Sequence, residues 1–375
     1  MELEEPKSLQ HAVQQGADGR LHLVNTADIP SLLPGYVLVK TFAVALNPSD
    51  HKIANNFPLP GAFIGADFSG SVVSVADNVN TSVPIEEGTM VSGAAFTFAQ
   101  EHRRASGAFA QYVRARADLL LRVPPRATMD NDGIGLIEAA TLGTAIGTCV
   151  LALWSTDSLC LSGTPEQPLP AEHAAPVLVY GGSTATGTIA VQLLRLSGYD
   201  PIATCSPSNF DLVRGRGASA VFDYAEPDVA ARIQLRTNGR LKYVLDCISD
   251  ANSVVTCYDA IQRPGGRYAS LEVVPDELLA RRRAVRHSFV LGAEVYGEEV
   301  RLGRAGYDRP ADEQKHKLAV RYTKMIQRLL DQGRLRAHPV DVLAPGLQGV
   351  LQGLEFLAAG GQASGKKLVA VIDKS

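Results

Sequence analysis

The sequence predicts an α/β protein, a doubly wound parallel sheet inserted in a second, mostly β domain. Between residues 176 and 295 short apolar runs alternate with segments of helical periodicity, the mark of repeated strand–helix units. Before residue 129 the chain breaks instead into short strands separated by glycine and proline, and after about residue 297 the alternation stops. A third, local observation anchors the parallel sheet. Residues 177–180 form an apolar run, Gly181 and Gly182 turn the chain, and residues 186–196 read as a helix with Ile189, Leu193 and Leu196 on one face. Strand, small-residue turn and helix make the first unit of a dinucleotide-binding (Rossmann) fold, whose helix N-terminus suits a pyrophosphate. The turn matches G-x-G-x-x-G incompletely. Gly182 and Gly187 fit the outer glycines, and Thr184 stands at the middle one. Around Ala185, the hydroxyls of Ser183, Thr184 and Thr186 are candidate donors to the same oxygens.

The elements follow in order. In the first domain strands are expected around 21–24 and over 36–41, 65–75, 88–93 and 107–113, followed by helices over 131–140 and 144–154. Residues 155–175 are polar and proline-bearing and read as a surface insertion. Further strands of the parallel sheet are expected at 202–205, 220–223, 243–247, 268–271 and 288–295, with helices at 209–216, 228–237, 254–262 and 275–285. The tail reads as a helix over 312–330, a strand over 335–342, a helix over 347–359 and a closing strand over 366–372. It is expected to complete the first domain.

Composition excludes several classes. A chain of 375 residues suggests two domains, and a net charge of −3 argues against a nucleic-acid binder. No run approaches a membrane span, and the acidic N-terminus does not read as a signal peptide, so a cytoplasmic location is expected. Five scattered cysteines without C-x-x-C spacing fit reduced thiols.

The motifs that carry a family likeness are Asn47-Pro-Ser-Asp-His-Lys52, Gly65-Ala-Asp-Phe-Ser-Gly70, Gly181-Gly-Ser-Thr-Ala-Thr-Gly187, Ser206-Pro-Ser-Asn209 and Asp223-Tyr224. The endings Gly346-Leu-Gln-Gly-Val-Leu-Gln-Gly-Leu-Glu355 and Ala363-Ser-Gly-Lys-Lys-Leu-Val369 add to them. With these motifs nearly the whole chain resembles the medium-chain dehydrogenase/reductase superfamily. Within it the chain is similar to the trans-acting enoyl reductases that partner fungal polyketide, or polyketide–peptide hybrid, synthases. The resemblance implies a GroES-like catalytic domain over 1–144, an NADP-binding Rossmann domain over 145–300 and a returning catalytic part over 301–375.

Zinc-dependent relatives need a thiolate or imidazole set. Asn47 and Asp67 stand where those relatives put Cys and His, and residues 92–110 contain no cysteine, so a metal-free enzyme is expected. His51 and His102 read as ordinary polar residues. The second strand of the sheet ends in Ser206 with no carboxylate to repel a 2′-phosphate, which favours NADPH. In the family likeness Ser206, Pro207, Ser208, Asn209 and Tyr224 form the 2′-phosphate clamp. Arg214 is either a further cation for it or a solvated helix arginine.

The same likeness puts Pro48, Ser49, Asp50, His51 and Lys52 beside the nicotinamide ribose, and Leu271, Glu272, Ala363 and Ser364 at the nicotinamide end. Lys52 is either a surface lysine or a donor to the ribose or the thioester oxygen, where charge develops. No other acid presents itself, and water is the expected source of the α-carbon proton. Two stretches resemble the acyl pocket, though simple packing accounts for them equally. They are Thr141, Leu142, Gly143, Thr144, Ala145, Ile146, Gly147 and Thr148, and Gly292, Ala293, Glu294, Val295 and Tyr296 at the end of the sixth strand. The arginine run 281–286 reads as a solvated helix face or as a contact for an acidic carrier protein.

The expected function is NADPH-dependent reduction of the α,β-double bond of carrier-bound polyketide thioesters. The expected partners are a polyketide synthase and its acyl-carrier protein, and the chain is expected to be a monomer. The alternative is a zinc-free NADPH quinone or enone oxidoreductase acting on free small molecules.

Overall fold

A computed structural model describes residues 9–79, 81, 84–96, 98, 100–123 and 134–372. The chain divides into two units. One comprises Met1–Thr144, Tyr296–Glu313 and Val320–Ser375, and the other Ala145–Val295 and Gln314–Ala319.

In the first unit β1 (Leu9–Gln15) and β2 (Leu21–Asp28) form an antiparallel hairpin. The long strand β3 (Tyr36–Ala45) leads through Leu46 and Asn47 into helix α1 (Pro48–Asn56). Pro48 suits the first turn, where no N–H partner is lost. Then come β4 (Asp67–Val75), β5 (Met90–Ala94), α2 (Gln100–Ala105), β6 (Tyr112–Arg116), β7 (Leu121–Arg122) and the single turn α3 (Leu136–Ala139). Helix α4 (Gly143–Trp154) crosses into the second unit.

The second unit is built on β8 (Pro176–Tyr180), α5 (Ala185–Leu196), β9 (Asp200–Cys205), α6 (Phe210–Gly215), β10 (Ala220–Asp223), α7 (Val229–Arg236), β11 (Tyr243–Asp246), α8 (Ala251–Ala260), β12 (Gly266–Ser270), α9 (Asp276–Leu279) and β13 (Val285–Phe289). Its six strands are all parallel, in the order β10-β9-β8-β11-β12-β13. This is third, second, first, fourth, fifth, sixth, the order of dinucleotide-binding folds, and it places ligands at the carboxyl ends where the order reverses. Leu178, Ile202, Val244 and Tyr268 are fully buried in the core of this sheet.

The chain then gives α10 (Glu313–Asp331), β14 (Val340–Val342), α11 (Leu347–Ala358) and β15 (Lys367–Val371). The last two strands join the first unit's sheet, whose order is β14-β15-β3-β4-β5-β7 with β6 also on β3. Val37, Val39, Val44, Phe68, Val72, Val91 and Val113 fill its core with Val350 and Leu354 of α11. The register matters for function. Val369 lies opposite Ala45, and Ala45 opposite Asp67. Lys367, Asn47 and Asp67 therefore gather at one end of three neighbouring strands.

Several expectations are corrected. The sixth parallel strand is 285–289, not 288–295, and residues 292–296 form a 3-10 turn after it. The helix expected over 275–285 ends at Leu279, followed by a 3-10 turn over Ala280–Arg282. The arginine run hid a strand that starts at Val285 and has few fully buried positions. Residues 107–111 precede β6 rather than forming it, and α2 was not foreseen. Only Val340–Val342 of the 335–342 stretch is strand. Of the helix expected over 131–140, residues 131–133 lie outside the described residues and 136–139 form one turn. The 155–175 stretch is not simply superficial. Leu159 and Leu161 are buried, Trp154 Nε1 donates to Gly163 O at 2.9 Å, and Arg267 Nη1 donates to Ser158 O at 2.6 Å. Buried leucines and backbone carbonyls anchor it to the second unit, a role that composition does not reveal.

Candidate active site

The turn after β8 is shaped by glycines that nothing larger can replace. Gly181 has φ +79°, and a Cβ on Gly187 would lie 2.3 Å from Gly181 O. This close approach brings the start of α5 against the end of β8. Thr184 is the N-cap of α5, with its Oγ1 accepting from Gly187 N and donating to Gly181 O, both at 2.9 Å. That explains a threonine where the middle glycine is usual. It also corrects the expectation for this residue, because its hydroxyl is committed inside the turn. Ser183, Ala185 and Thr186 are half-buried at the helix start, so Ser183 and Thr186 remain the hydroxyl candidates for phosphate.

At the end of β9, Ser206 Oγ lies 3.3 Å from Tyr224 OH, which follows β10. Tyr224 is exposed, as are Pro207 and Ser208 in the 3-10 turn over Pro207–Asn209. Asn209 is buried. The Asp223 carboxylate is turned to its own loop, where Oδ1 accepts from Ala225 N at 2.9 Å. Arg214 lies over the Phe210 ring and 3.7 Å from Asp211. Two neutral hydroxyls, the half-buried Ser206 and the exposed Tyr224, thus stand together at the β9 and β10 ends, with no carboxylate at the end of β9.

Sequence reasoning missed the support behind the fourth strand. Asp246 is fully buried at the end of β11. It accepts from Ile248 N and Ser249 N at 2.9 Å, Ser253 Oγ at 2.6 Å and Tyr268 OH at 2.7 Å. Burial pushes its carboxyl up, against these donors, which hold it down. The loop it shapes puts Ser249 at φ +61°, and Ser249 Oγ then accepts from Leu271 N at 2.9 Å. Ser270 Oγ donates to Glu272 O at 2.8 Å. Leu271 and Glu272, both half-buried, are thus held from two sides.

In the first unit α1 carries the candidate reducing residues. Pro48 and Lys52 are exposed, Ser49 and His51 half-buried, and Asp50 buried. Asn47 N donates to Asp50 Oδ2 at 2.7 Å, closing the first turn. Burial pushes the Asp50 carboxyl up to about 7. His51 Nδ1 is buried without a hydrogen-bond partner, and burial lowers the imidazole's proton affinity. Behind α1, the fully buried Asp67 takes four donors. Lys367 Nζ is at 2.5 Å and Asn47 Nδ2 at 3.1 Å, both on Oδ2, while Thr144 N at 2.6 Å and Thr144 Oγ1 at 2.7 Å share Oδ1. Lys367 Nζ also donates to Asn47 Oδ1 at 2.8 Å. Lys367 was not singled out in the sequence. Its partner Asp67 lies 300 residues away, and no local pattern connects them. Among the described residues no group of three or more His, Cys, Asp or Glu gathers as a metal site. Ala363 is half-buried and Ser364 exposed just before β15.

The acyl-pocket candidates divide. Thr141 is buried, with its hydroxyl on Glu138 O at 2.7 Å, and the Thr144 hydroxyl is committed to Asp67. Leu142, Ala145, Ile146 and Thr148 are buried, and Gly143 and Gly147 are half-buried. A Cβ on Gly147 would meet Val295 at 3.3 Å, and one on Gly292 would come within 2.9 Å of Thr148 Oγ1. The two stretches pack directly on each other at these points. Ala293 and Glu294 are buried, and Glu294 Oε1 accepts from Lys315 Nζ at 2.6 Å. Tyr296 OH donates to Ala94 O at 2.5 Å. The arginine run is partly structural, since Arg282 donates to Tyr258, Ile261, Gln262 and Arg263 carbonyls at the end of α8. Arg281 lies 3.6 Å from Asp259.

Residues 33–125 match the alcohol dehydrogenase GroES-like domain family, and residues 185–302 the zinc-binding dehydrogenase family. The chain is 63% identical over 364 residues to trans-enoyl reductase TwmE of Talaromyces wortmannii, covering 97% of this chain and 98% of that one. It belongs to the trans-enoyl reductase family. Trans-enoyl reductase mycC of Thermothelomyces thermophilus is 42% identical over 373 residues, 98% of each chain. Members of this family are medium-chain dehydrogenase/reductase proteins, and solved structures of that fold align along this reductase's whole length. The CurK enoyl reductase does so at TM-score 0.67 and 18% identity, over 97% of this chain and 99% of its own. The quinone oxidoreductase of Coxiella burnetii does so at TM-score 0.67 and 22% identity, over 98% and 100%. At such identities these two likenesses concern the fold alone.

Proposed function

We propose that this chain is a trans-acting enoyl reductase that uses NADPH to reduce the α,β-double bond of polyketide thioesters. The substrates would be held on the acyl-carrier protein of a partner synthase. The observation that carries this reading is similarity of 63% along nearly the whole chain to a trans-enoyl reductase. The choice of NADPH is supported by the Ser206 and Tyr224 hydroxyls, 3.3 Å apart on strand ends without a facing carboxylate.

When bound, the nicotinamide supplies hydride to the β-carbon. The chain's own residues bind, orient and polarise. The start of α5, with Ser183, Ala185 and Thr186, receives the pyrophosphate through its N–H groups and positive dipole end. Ser206 and Tyr224 would donate to the 2′-phosphate, and Pro207, Ser208 and Asn209 form the turn that presents Ser206. In the first unit Pro48, Ser49, Asp50, His51 and Lys52 would hold the nicotinamide ribose and Ala363 and Ser364 would serve the nicotinamide end, and in the second unit Leu271 and Glu272 are the candidates for that end. Lys52, exposed on α1, donates to the thioester oxygen as negative charge develops there. The α-carbon proton comes from water. No helix among the described residues is long and apolar enough to cross a membrane.

The test is NADPH oxidation with an α,β-unsaturated pantetheine thioester against a simple quinone, each repeated with NADH. Turnover of the thioester with NADPH is expected. Turnover of the quinone alone would overturn the reading.

A further inference from the structure

Helix α1 carries the candidate reducing residues, and both of its ends are fastened. At the far end the buried Gln15 donates from Nε2 to Ala54 O and accepts at Oε1 from Leu59 N, at 2.9 and 2.7 Å. At the near end the turn hangs on Asn47, which caps the helix and whose side chain also bonds two residues outside it. Lys367 Nζ donates to its Oδ1, and its Nδ2 donates to Asp67 Oδ2. Lys367 and Asp67 are 6% and 0% exposed and bonded to each other, so the three side chains close a ring. The other Asp67 oxygen holds both the N–H and the hydroxyl of Thr144, at the start of α4. One buried ammonium therefore sits at the node joining two segments that carry candidate site residues. A buried lysine that merely balanced a buried carboxylate would need only Asp67. The second bond, to Asn47, is the one that reaches the site.

We propose that Lys367 is a positioning residue for the reduction: by bridging Asn47 and Asp67 it fixes the entry of α1 and so the placement of Ser49, Asp50, His51 and Lys52. The inference deepens the proposed reduction and rests on it.

The test uses the full chain and three variants, Lys367→Met, the pair K367M/D67N, and Asn47→Ala. Three quantities are read: melting temperature, kcat for NADPH-dependent reduction of crotonyl-pantetheine, and affinity for NADPH against 2′,5′-ADP, which lacks the nicotinamide. Lys367→Met leaves the buried Asp67 carboxylate without its counter-charge and should lower both melting temperature and kcat. In K367M/D67N the melting temperature should recover, while kcat stays down by about tenfold or more. NADPH binding should weaken in the pair while 2′,5′-ADP binding does not. Asn47→Ala keeps the ion pair but removes the N-cap of α1, so it should show the same kcat loss with a melting temperature lowered by only a few degrees, which keeps the test open if the pair does not fold. Recovery of kcat together with melting temperature in the pair, or a wild-type kcat in Asn47→Ala, would overturn the inference. A wild-type chain that does not reduce the thioester would sink the proposed reaction instead. The ratio of NADPH to 2′,5′-ADP affinity would then still decide the role of Lys367.

Discussion

Thr184 shows how one position serves two demands. In the glycine-rich turn it was expected to donate to phosphate, yet its hydroxyl caps α5 and ties back to Gly181. Thr184→Ala should therefore cost about 1 kcal/mol of stability, read by denaturant melts. Asp50 gives a prediction with a definite sign. Its carboxyl is pushed up from 3.8 to about 7. Below its unfolded value both states hold the proton, so the group has no effect on stability there. Between about 4 and 7 the native state keeps a proton that the unfolded state has released, so stability falls as pH rises through that window. Above about 7 the loss is complete, up to about 4 kcal/mol at 1.36 kcal/mol per unit. Asp50→Asn should abolish this slope, and unchanged melts from pH 4 to 8 in the wild type would contradict it. At the adenosine end, removing both hydroxyls with Ser206→Ala and Tyr224→Phe should weaken NADPH binding about tenfold and leave NADH binding unchanged. Fluorescence titration with the two cofactors reads the difference.

At the scale of elements, strong periodicity was legible and cancelled signals were not. The strand–turn–helix around Gly181 reads directly from its apolar run and small residues, and strand 220–223 is found where alternation put it. The arginine run misled, because charge density suggests a solvated helix. In fact Arg282 spans four carbonyls at the end of α8 while the chain passes into β13. Arg282→Ala should cost about 2 kcal/mol through those orphaned carbonyls. Loss of Arg283, outside that cap, should be nearly neutral, and thermal melts of the two variants make the comparison. The 155–175 stretch misled for the opposite reason. Its polar side chains look like loop residues, yet Ser158 bonds Ser288 at 3.0 Å and Leu159 is fully buried. Hydrogen bonds to distant partners leave no periodic trace in a sequence.

Across the whole molecule, the parallel sheet follows from alternation, but the order of its strands and the return of the tail to the first unit's sheet are long-range facts. Strand β15 pairs with β3 more than 320 residues earlier, and that pairing brings Lys367 to Asn47 and Asp67. The glycine turn and the strand ends proposed to hold the nucleotide were legible as local structure, because such turns obey local rules. The Lys367–Asp67–Thr144 node was not, because its members sit in separate motifs and only the pairing of distant strands brings them together. The central claim is that these parts together reduce a carrier-bound enoyl thioester with NADPH. Its most direct measurement is intact mass spectrometry of an acyl-carrier protein loaded with an α,β-unsaturated chain and incubated with the reductase and NADPH. A gain of one H2 on the acyl chain, absent with NADH, is the predicted result. An unchanged acyl mass with NADPH bound to the reductase would contradict the account.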